Sequence, residues 1–243
     1  MKNSINFVLQ EKGGVGKTFC ASMLAQWLRD RRGETPICGD ADPLTPTFSA
    51  YKALDVARVG ITENGAVVQR KFDSFFESIL EHDDPVVLDN GTATYMPILK
   101  YMKTNDLYSI LADAGKKLIL HLPIVGGDAK LMTIYGLENV LAAVQCTGAK
   151  IVVWQNEYFG VPMIDGREAA DMALVADNYD TICGVVKIID RNSDDYEGDI
   201  KLLTEKKMTR SEAQDSSHFK MFARSRIDRV FRDVYDQLDK VLL

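Results

Sequence analysis

The run Lys12-Gly13-Gly14-Val15-Gly16-Lys17-Thr18 constrains this chain more than any other feature. An apolar stretch, Ile5 to Leu9, precedes it and an amphipathic one, Thr18 to Arg31, follows it. Strand, glycine loop and helix in that order are what a phosphate-binding loop requires. Glycines let successive backbone N–H groups turn towards phosphate oxygens. The helix N-terminus behind them adds the positive end of its dipole. Gly13, Gly14, Val15, Gly16, Lys17, Thr18 and Phe19 are therefore expected to hold a nucleotide. Lys17 would reach the β- and γ-phosphates, and Thr18 would offer its hydroxyl to Mg²⁺. A glycine-rich turn with a chance Lys-Thr pair is the alternative, and it leaves the agreement of loop, lysine, hydroxyl and flanking elements unexplained.

Apolar runs recur along the chain: Ile5 to Leu9, Pro36 to Gly39, Val86 to Leu88, Leu118 to Leu122, Ile151 to Trp154, and Ile182 to Ile189. Most are near-continuously apolar, as strands covered on both faces must be. Helical spacing separates them. Cys20, Met23, Leu24, Trp27 and Leu28 share one face, Phe72, Phe75, Phe76, Ile79 and Leu80 a second, and Leu131, Ile134, Leu137, Val140, Leu141 and Val144 a third. The alternation predicts an α/β fold, a doubly wound, mostly parallel sheet with helices on both faces. At 243 residues the chain is expected to form one domain, 1–243, closed by a C-terminal helix near 217–243. The polar stretch Arg191 to Asp199 reads as a mobile loop.

Two further runs end in carboxylates. Val86-Val87-Leu88-Asp89-Asn90-Gly91 reads as a buried strand closed by Asp89, the Walker B pattern, in which Asp89 meets Mg²⁺ through water. Gly91 would free the following loop to move when the γ-phosphate leaves. Asp40-Ala41-Asp42-Pro43 follows the second strand-like run, so both aspartates fall on the ligand-binding edge of a parallel sheet. The plainer alternative there is a turn with solvated aspartates.

Bulk properties bound the partners. A net charge of −6 gives the chain no general attraction for DNA. A nucleic-acid contact would need a local patch, and Arg224, Arg226, Arg229 and Arg232 supply the clearest one. They decorate the C-terminal segment, whose apolar residues are Phe219, Phe222, Ile227, Val230, Phe231, Val234, Leu238 and Val241. A helix docked on the domain, a basic partner surface and a membrane-surface helix all fit that pattern, although Asp228, Asp233, Asp236 and Asp239 dilute its charge. No apolar run reaches membrane-spanning length and the N-terminus does not read as a signal peptide, so a cytoplasmic location is expected. Cys20, Cys38, Cys146 and Cys183 show no C-x-x-C spacing and are expected to be buried free thiols.

With an extra lysine at its start, K-G-G-V-G-K-T resembles the deviant Walker A loop of the ParA/MinD family of ATPases. In that family the early lysine crosses a dimer interface, which would be the part of Lys12, while Lys17 is the ordinary phosphate lysine. The D-x-D-P run resembles switch I of the same family. The resemblance implies that Asp40 helps hold the hydrated Mg²⁺ and that Asp42 orients the attacking water. It also implies that Asn156, at the end of Val152-Val153-Trp154-Gln155-Asn156, meets the purine base, the alternative being a simple turn asparagine. The chain has no N-K-x-D run to read guanine, which favours ATP. Glu11 stands where the general loop pattern places its first glycine. Its carboxylate either opposes the ligand's charge or points away from it.

Val8-Leu9-Gln10, Thr47 to Leu54, Val87 to Gly91 and Val153 to Tyr158 narrow the likeness to the TraL-type and StbB-type proteins of plasmid conjugation. That implies an ATP- and Mg²⁺-dependent dimerisation switch in conjugative transfer or plasmid maintenance. A protein partner and DNA, contacted directly or through that partner, would be its targets. Two alternatives stand beside it: an ATP-dependent ligase or amidase-type enzyme on the same fold, and a nucleotide-binding scaffold with negligible turnover.

Overall fold

A computed structural model describes residues 1–63, 66–68, 70–191 and 194–242. Seven strands form its main sheet: β1 (Ser4–Val8), β2 (Ile37–Asp40), β3 (Ala57–Arg58), β4 (Val86–Asp89), β5 (Lys117–Val125), β6 (Lys150–Asn156) and β7 (Ile182–Ile188). Their order is β7-β6-β5-β1-β4-β2-β3, with every pairing parallel. The expected doubly wound sheet is thus the observed one. The chain runs outward from β1 to β2, returns to insert β4 beside β1, and then builds β5, β6 and β7 on the other side. The order reverses at β1, and the crevice beyond the carboxyl ends of strands at such a reversal is where ligands bind in open α/β sheets.

Helices cover both faces. On one lie α1 (Lys17–Arg32), α6 (Asp194–Glu205), α7 (Arg210–Asp215) and α8 (Met221–Val241). On the other lie α2 (Arg70–Leu80), α3 (Thr92–Thr104), α4 (Leu107–Asp113) and α5 (Lys130–Val144). Alternation along the strands divides the core accordingly. Ile5, Phe7, Leu120 and Leu122 pack under α2–α5, whereas Val8, Val152 and Trp154 pack under α1 and α8. Each fully buried side chain of this size contributes about 1.5–3 kcal/mol.

α1 shows why these residues take this form. Its sequence is rich in good helix formers, Arg29, Arg31 and Arg32 in the last turn complement the dipole, and Gly33 ends it at φ 63° with its N–H on the Leu28 carbonyl. α8 is the docked C-terminal helix, Ile227, Val230, Phe231, Val234, Tyr235 and Leu238 being buried. Trp27 Nε1 donates to Asp239 Oδ1 at 2.8 Å, and the Phe19 and Phe231 rings meet edge to face. Leu243 lies outside the described residues.

Beneath α1 a polar network crosses the sheet. Trp154 Nε1 donates to His121 Nδ1 at 3.0 Å, and His121 Nε2 lies 3.1 Å from Asn6 Oδ1. Asn6 Nδ2 donates to Ser4 Oγ and to the Val86 carbonyl, each at 3.0 Å. All four side chains are buried, and a neutral imidazole protonated at Nε2 satisfies every bond. Burial drives the His121 pKa down to about 3.

Several expectations need correction. The stretch 191–199 is not a loop throughout, because α6 begins at Asp194. Three acidic residues in its first turn suit a helix N-terminus. Asn192 and Ser193 lie outside the described residues. All four cysteines are free, but only Cys20 and Cys38 are buried; Cys146 and Cys183 are exposed. Cys183 lies on the edge strand β7 at a register shift between Ile182 and Gly184, where the alternation that would bury it breaks. Leu131 at the start of α5 and Phe222 at the start of α8 are exposed, since each precedes the part of its helix that reaches the sheet.

Candidate functional site

The loop leaves β1 at the sheet's order reversal and enters α1 through two glycines in left-handed conformations, Gly14 (φ 77°) and Gly16 (φ 95°). Gly16 is required on two counts, since a Cβ there would also stand 2.7 Å from Asn156 Nδ2. Asn156, at the end of β6, turns its amide onto the loop, with Nδ2 donating to the Val15 carbonyl at 3.1 Å and Oδ1 accepting from Tyr158 N–H. Lys17 is buried, and its Nζ donates to the Lys12 carbonyl at 2.9 Å and lies 3.5 Å from Thr92 Oγ1. Lys12 differs: among the described residues its ammonium has no ion pair or hydrogen bond. Glu11 is partly exposed, its N–H bonded to Gln10 Oε1 at 3.0 Å.

Thr18, Asp40, Asp42 and Asp89 gather at the carboxyl ends of β1, β2 and β4. Thr18 Oγ1 donates to Asp89 Oδ2 at 2.6 Å and lies 2.7 Å from Thr47 Oγ1. Asp40 accepts from the Asp42 and Ser49 N–H groups, which ties the segment after β2 to that strand. Asp42 Oδ1 caps the next turn, accepting from Leu44 and Thr45 N–H at 2.9 Å each. Its carboxylate lies over Gly91, where a Cβ would fall 2.4 Å from Asp42 Cγ. The segments after β2 and β4 therefore meet where a side chain on residue 91 would have to displace the Asp42 carboxylate.

Burial pushes the Asp89 carboxyl up to about 7, with Asp40 and Asp42 adding to the effect and the Thr18 hydroxyl and Lys17 opposing it. Burial lowers the Lys17 pKa, against the pull of Asp89 and Asp42. Asp89 Oδ1 is buried without a hydrogen-bond partner, an orphan acceptor of the kind a hydrated cation satisfies. Among the described residues no three His, Cys, Asp or Glu side chains form a metal-ligating cluster.

A cavity of about 610 Å³ opens over the loop. Gly13, Gly14, Gly16, Lys17, Thr18, Phe19, Asp42 and Asn156 line it. Sequence reasoning assigned no role to several of its other walls: Thr47 and Tyr51 after β2, Thr92 at the start of α3, Tyr158 and Phe159 after β6, and Lys201, Thr204 and Lys207 from α6 and its end. Thr92 was foreshadowed by its place directly after Gly91; the α6 residues carry no motif. The arginine cluster is largely engaged elsewhere. Arg226 Nε donates to Asp199 at 2.6 Å, Arg224 donates to the Phe219 and Ser216 carbonyls, and Arg229 to Tyr196 Oη.

Fold and loop together define an α/β protein with the P-loop NTPase fold. Of solved structures, the MinD cell division protein of Aquifex aeolicus is similar in fold, with a TM-score of 0.50 and 12% identity, covering 94% of this chain and 95% of that one. Two Escherichia coli proteins, each called Protein TraL, are 33% and 31% identical to it over 235 residues, 97% of either chain in both cases. The chain belongs to the TraL family. No model of a known protein family matches it.

Proposed function

We propose that this protein is a Mg²⁺-dependent ATPase that works as a dimerisation switch in plasmid conjugative transfer or maintenance. The observation that carries the reading is the convergence of the two switch segments on the phosphate loop: Thr18 bonded to Asp89, and Asp42 seated on Gly91. In a simple binding scaffold nothing would require a second carboxylate to be held there.

Lys17 and the loop N–H groups would bind the phosphates, Asn156 bracing the loop from behind through Val15. Thr18 and, through water, Asp89 and Asp40 would hold Mg²⁺, which when bound neutralises phosphate charge. Asp42 would orient the attacking water, a task of position more than of proton affinity. The tyrosine and phenylalanine of Tyr158-Phe159 supply apolar surface for the base beside Asn156.

Lys12 would reach a second copy's nucleotide. Its ammonium has no partner among the described residues, in contrast to the buried Lys17. Segments leaving the same sheet edge expose apolar side chains: Leu44 after β2, Met96 in α3, and Leu131, Met132 and Tyr135 in α5. Such an edge suits a face closed by a partner. Among the described residues no helix is long and apolar enough to cross a membrane. ATP turnover measured without any small-molecule substrate tests the reading. Specific activity should rise with protein concentration as dimers form; turnover that needs an added small acid would instead establish the ligase alternative.

A further inference from the structure

One wall of the cavity is built by a segment that no nucleotide motif reaches, the C-terminal end of α6 with Lys201, Thr204 and Lys207. α6 closes in a Schellman turn, Lys207 N–H donating to the Thr204 carbonyl at 3.2 Å and Met208 N–H to the Leu203 carbonyl at 3.1 Å. The turn puts Lys207 in the left-handed region, at φ 52°. Glycine is the ordinary occupant of that position because a Cβ is strained there, and α1 ends with Gly33 in the same conformation. A lysine held in a strained conformation beside a ligand cavity is an outlier that asks for a functional reason.

Its side chain supplies one. Lys207 Nζ lies 5.7 Å from the centroid of the Tyr51 ring. Tyr51 is buried and lines the same cavity. The half-buried ammonium has no ion pair or hydrogen bond among the described residues, and it feels the field of Asp89. A partly desolvated cation lining the cavity, fixed over an aromatic face, suits an anion.

Building on the nucleotide reading above, we infer that Lys207 is a phosphate ligand of the bound nucleotide, delivered by the end of α6 from outside the phosphate loop. Nucleotide would then tie α6 to α1 and to the segment after β2, so that occupancy of the site is communicated to the helical face formed by α6 and α8.

Calorimetric titration of ATP and of inorganic tripolyphosphate, each with Mg²⁺, into wild type, Lys207→Gly and Lys207→Arg tests this. Glycine relieves the left-handed strain, so the melting temperature of Lys207→Gly should be unchanged or higher. Its affinity for both ligands should fall about tenfold, the equivalent of 1.4 kcal/mol, with the loss shrinking at high salt; Lys207→Arg should keep most of it. A purely structural lysine predicts unchanged affinity in Lys207→Gly, and that result overturns the assignment. So does a loss confined to ATP, which would place Lys207 at the base or ribose. Wild-type protein that binds no ATP would overturn the nucleotide reading itself, a failure distinct from either.

Discussion

Gly91→Ala isolates the contact between the segments that follow β2 and β4. Gly91 has φ −68° and ψ 161°, a conformation alanine adopts without strain. The added methyl therefore acts through space alone. Its carbon would stand 2.4 Å from Asp42 Cγ and 2.7 Å from both carboxylate oxygens. Ordinary carbon contacts lie at about 3.5–4.0 Å, so the carboxylate must retreat by roughly 1 Å. That retreat strains the bonds from Leu44 and Thr45 N–H to Asp42. Each is worth about 0.5–1.5 kcal/mol, and both are exposed enough for water to replace them, so the stability loss should stay near 1 kcal/mol. Catalysis should suffer more, since a displacement of about 1 Å typically costs about 100-fold in rate. Steady-state phosphate release should fall by that factor while the ATP dissociation constant moves less than about threefold. Asp42→Ala should produce a similar fall, and the double variant should lose little more, because both changes remove one interaction. Wild-type turnover in Gly91→Ala, or losses that simply add in the double variant, would refute the argument.

Three other outcomes follow from the geometry. Lys12→Ala should bind ATP normally yet remain monomeric in sedimentation with ATP, since Lys17 already supplies the charge in its own loop; ATP-driven dimers of that variant would exclude a role for Lys12 across an interface. His121 has its folded-state pKa depressed to about 3, so its contribution to stability is complete above an unfolded value near 6.5 and is lost as pH falls towards the folded one. At about pH 4.5 the loss is about 3 kcal/mol, because the buried imidazole would have to take up a charge and its new Nδ1 proton would face the Trp154 N–H; urea unfolding should show this slope in wild type and not in His121→Gln. Glu11→Gln should tighten ATP binding, with the gain fading at high salt, if the carboxylate faces the phosphates: at roughly 8 Å and an effective dielectric near 20 the repulsion is about 2 kcal/mol per unit charge before screening. Identical affinities at low salt would leave Glu11 with no role.

The sheet was legible because strands covered on both faces are near-continuously apolar, and the six longer strands each carry such a run, interrupted only by Asn6, His121 and Lys187. The two-residue β3 has no room for a pattern. α4, α6 and α7 escaped notice for another reason: they are short or polar, and what anchors them is tertiary. In α7 it is the bond from Arg210 N–H to Gln26 Oε1, 184 positions away in the chain, added to the local Thr209–Glu212 capping box. At the site, glycine loop, strand-end aspartates and β6 asparagine could be named because each carries a local motif. What residue 91 must lack was not legible, since it depends on Asp42 folding over it. Lys207 was hidden for the same reason, its significance lying in a left-handed φ and a ring contributed from residue 51.

The central claim is that this loop binds ATP through Lys17. Titration of Lys17→Ala with ATP and Mg²⁺, alongside circular dichroism of the same preparation, tests it most directly. The account predicts an unchanged far-ultraviolet spectrum and loss of measurable ATP binding, because a buried ammonium that the loop holds next to Thr92 and near Asp89 has no substitute within the loop. Binding at wild-type affinity in a folded Lys17→Ala protein would contradict it.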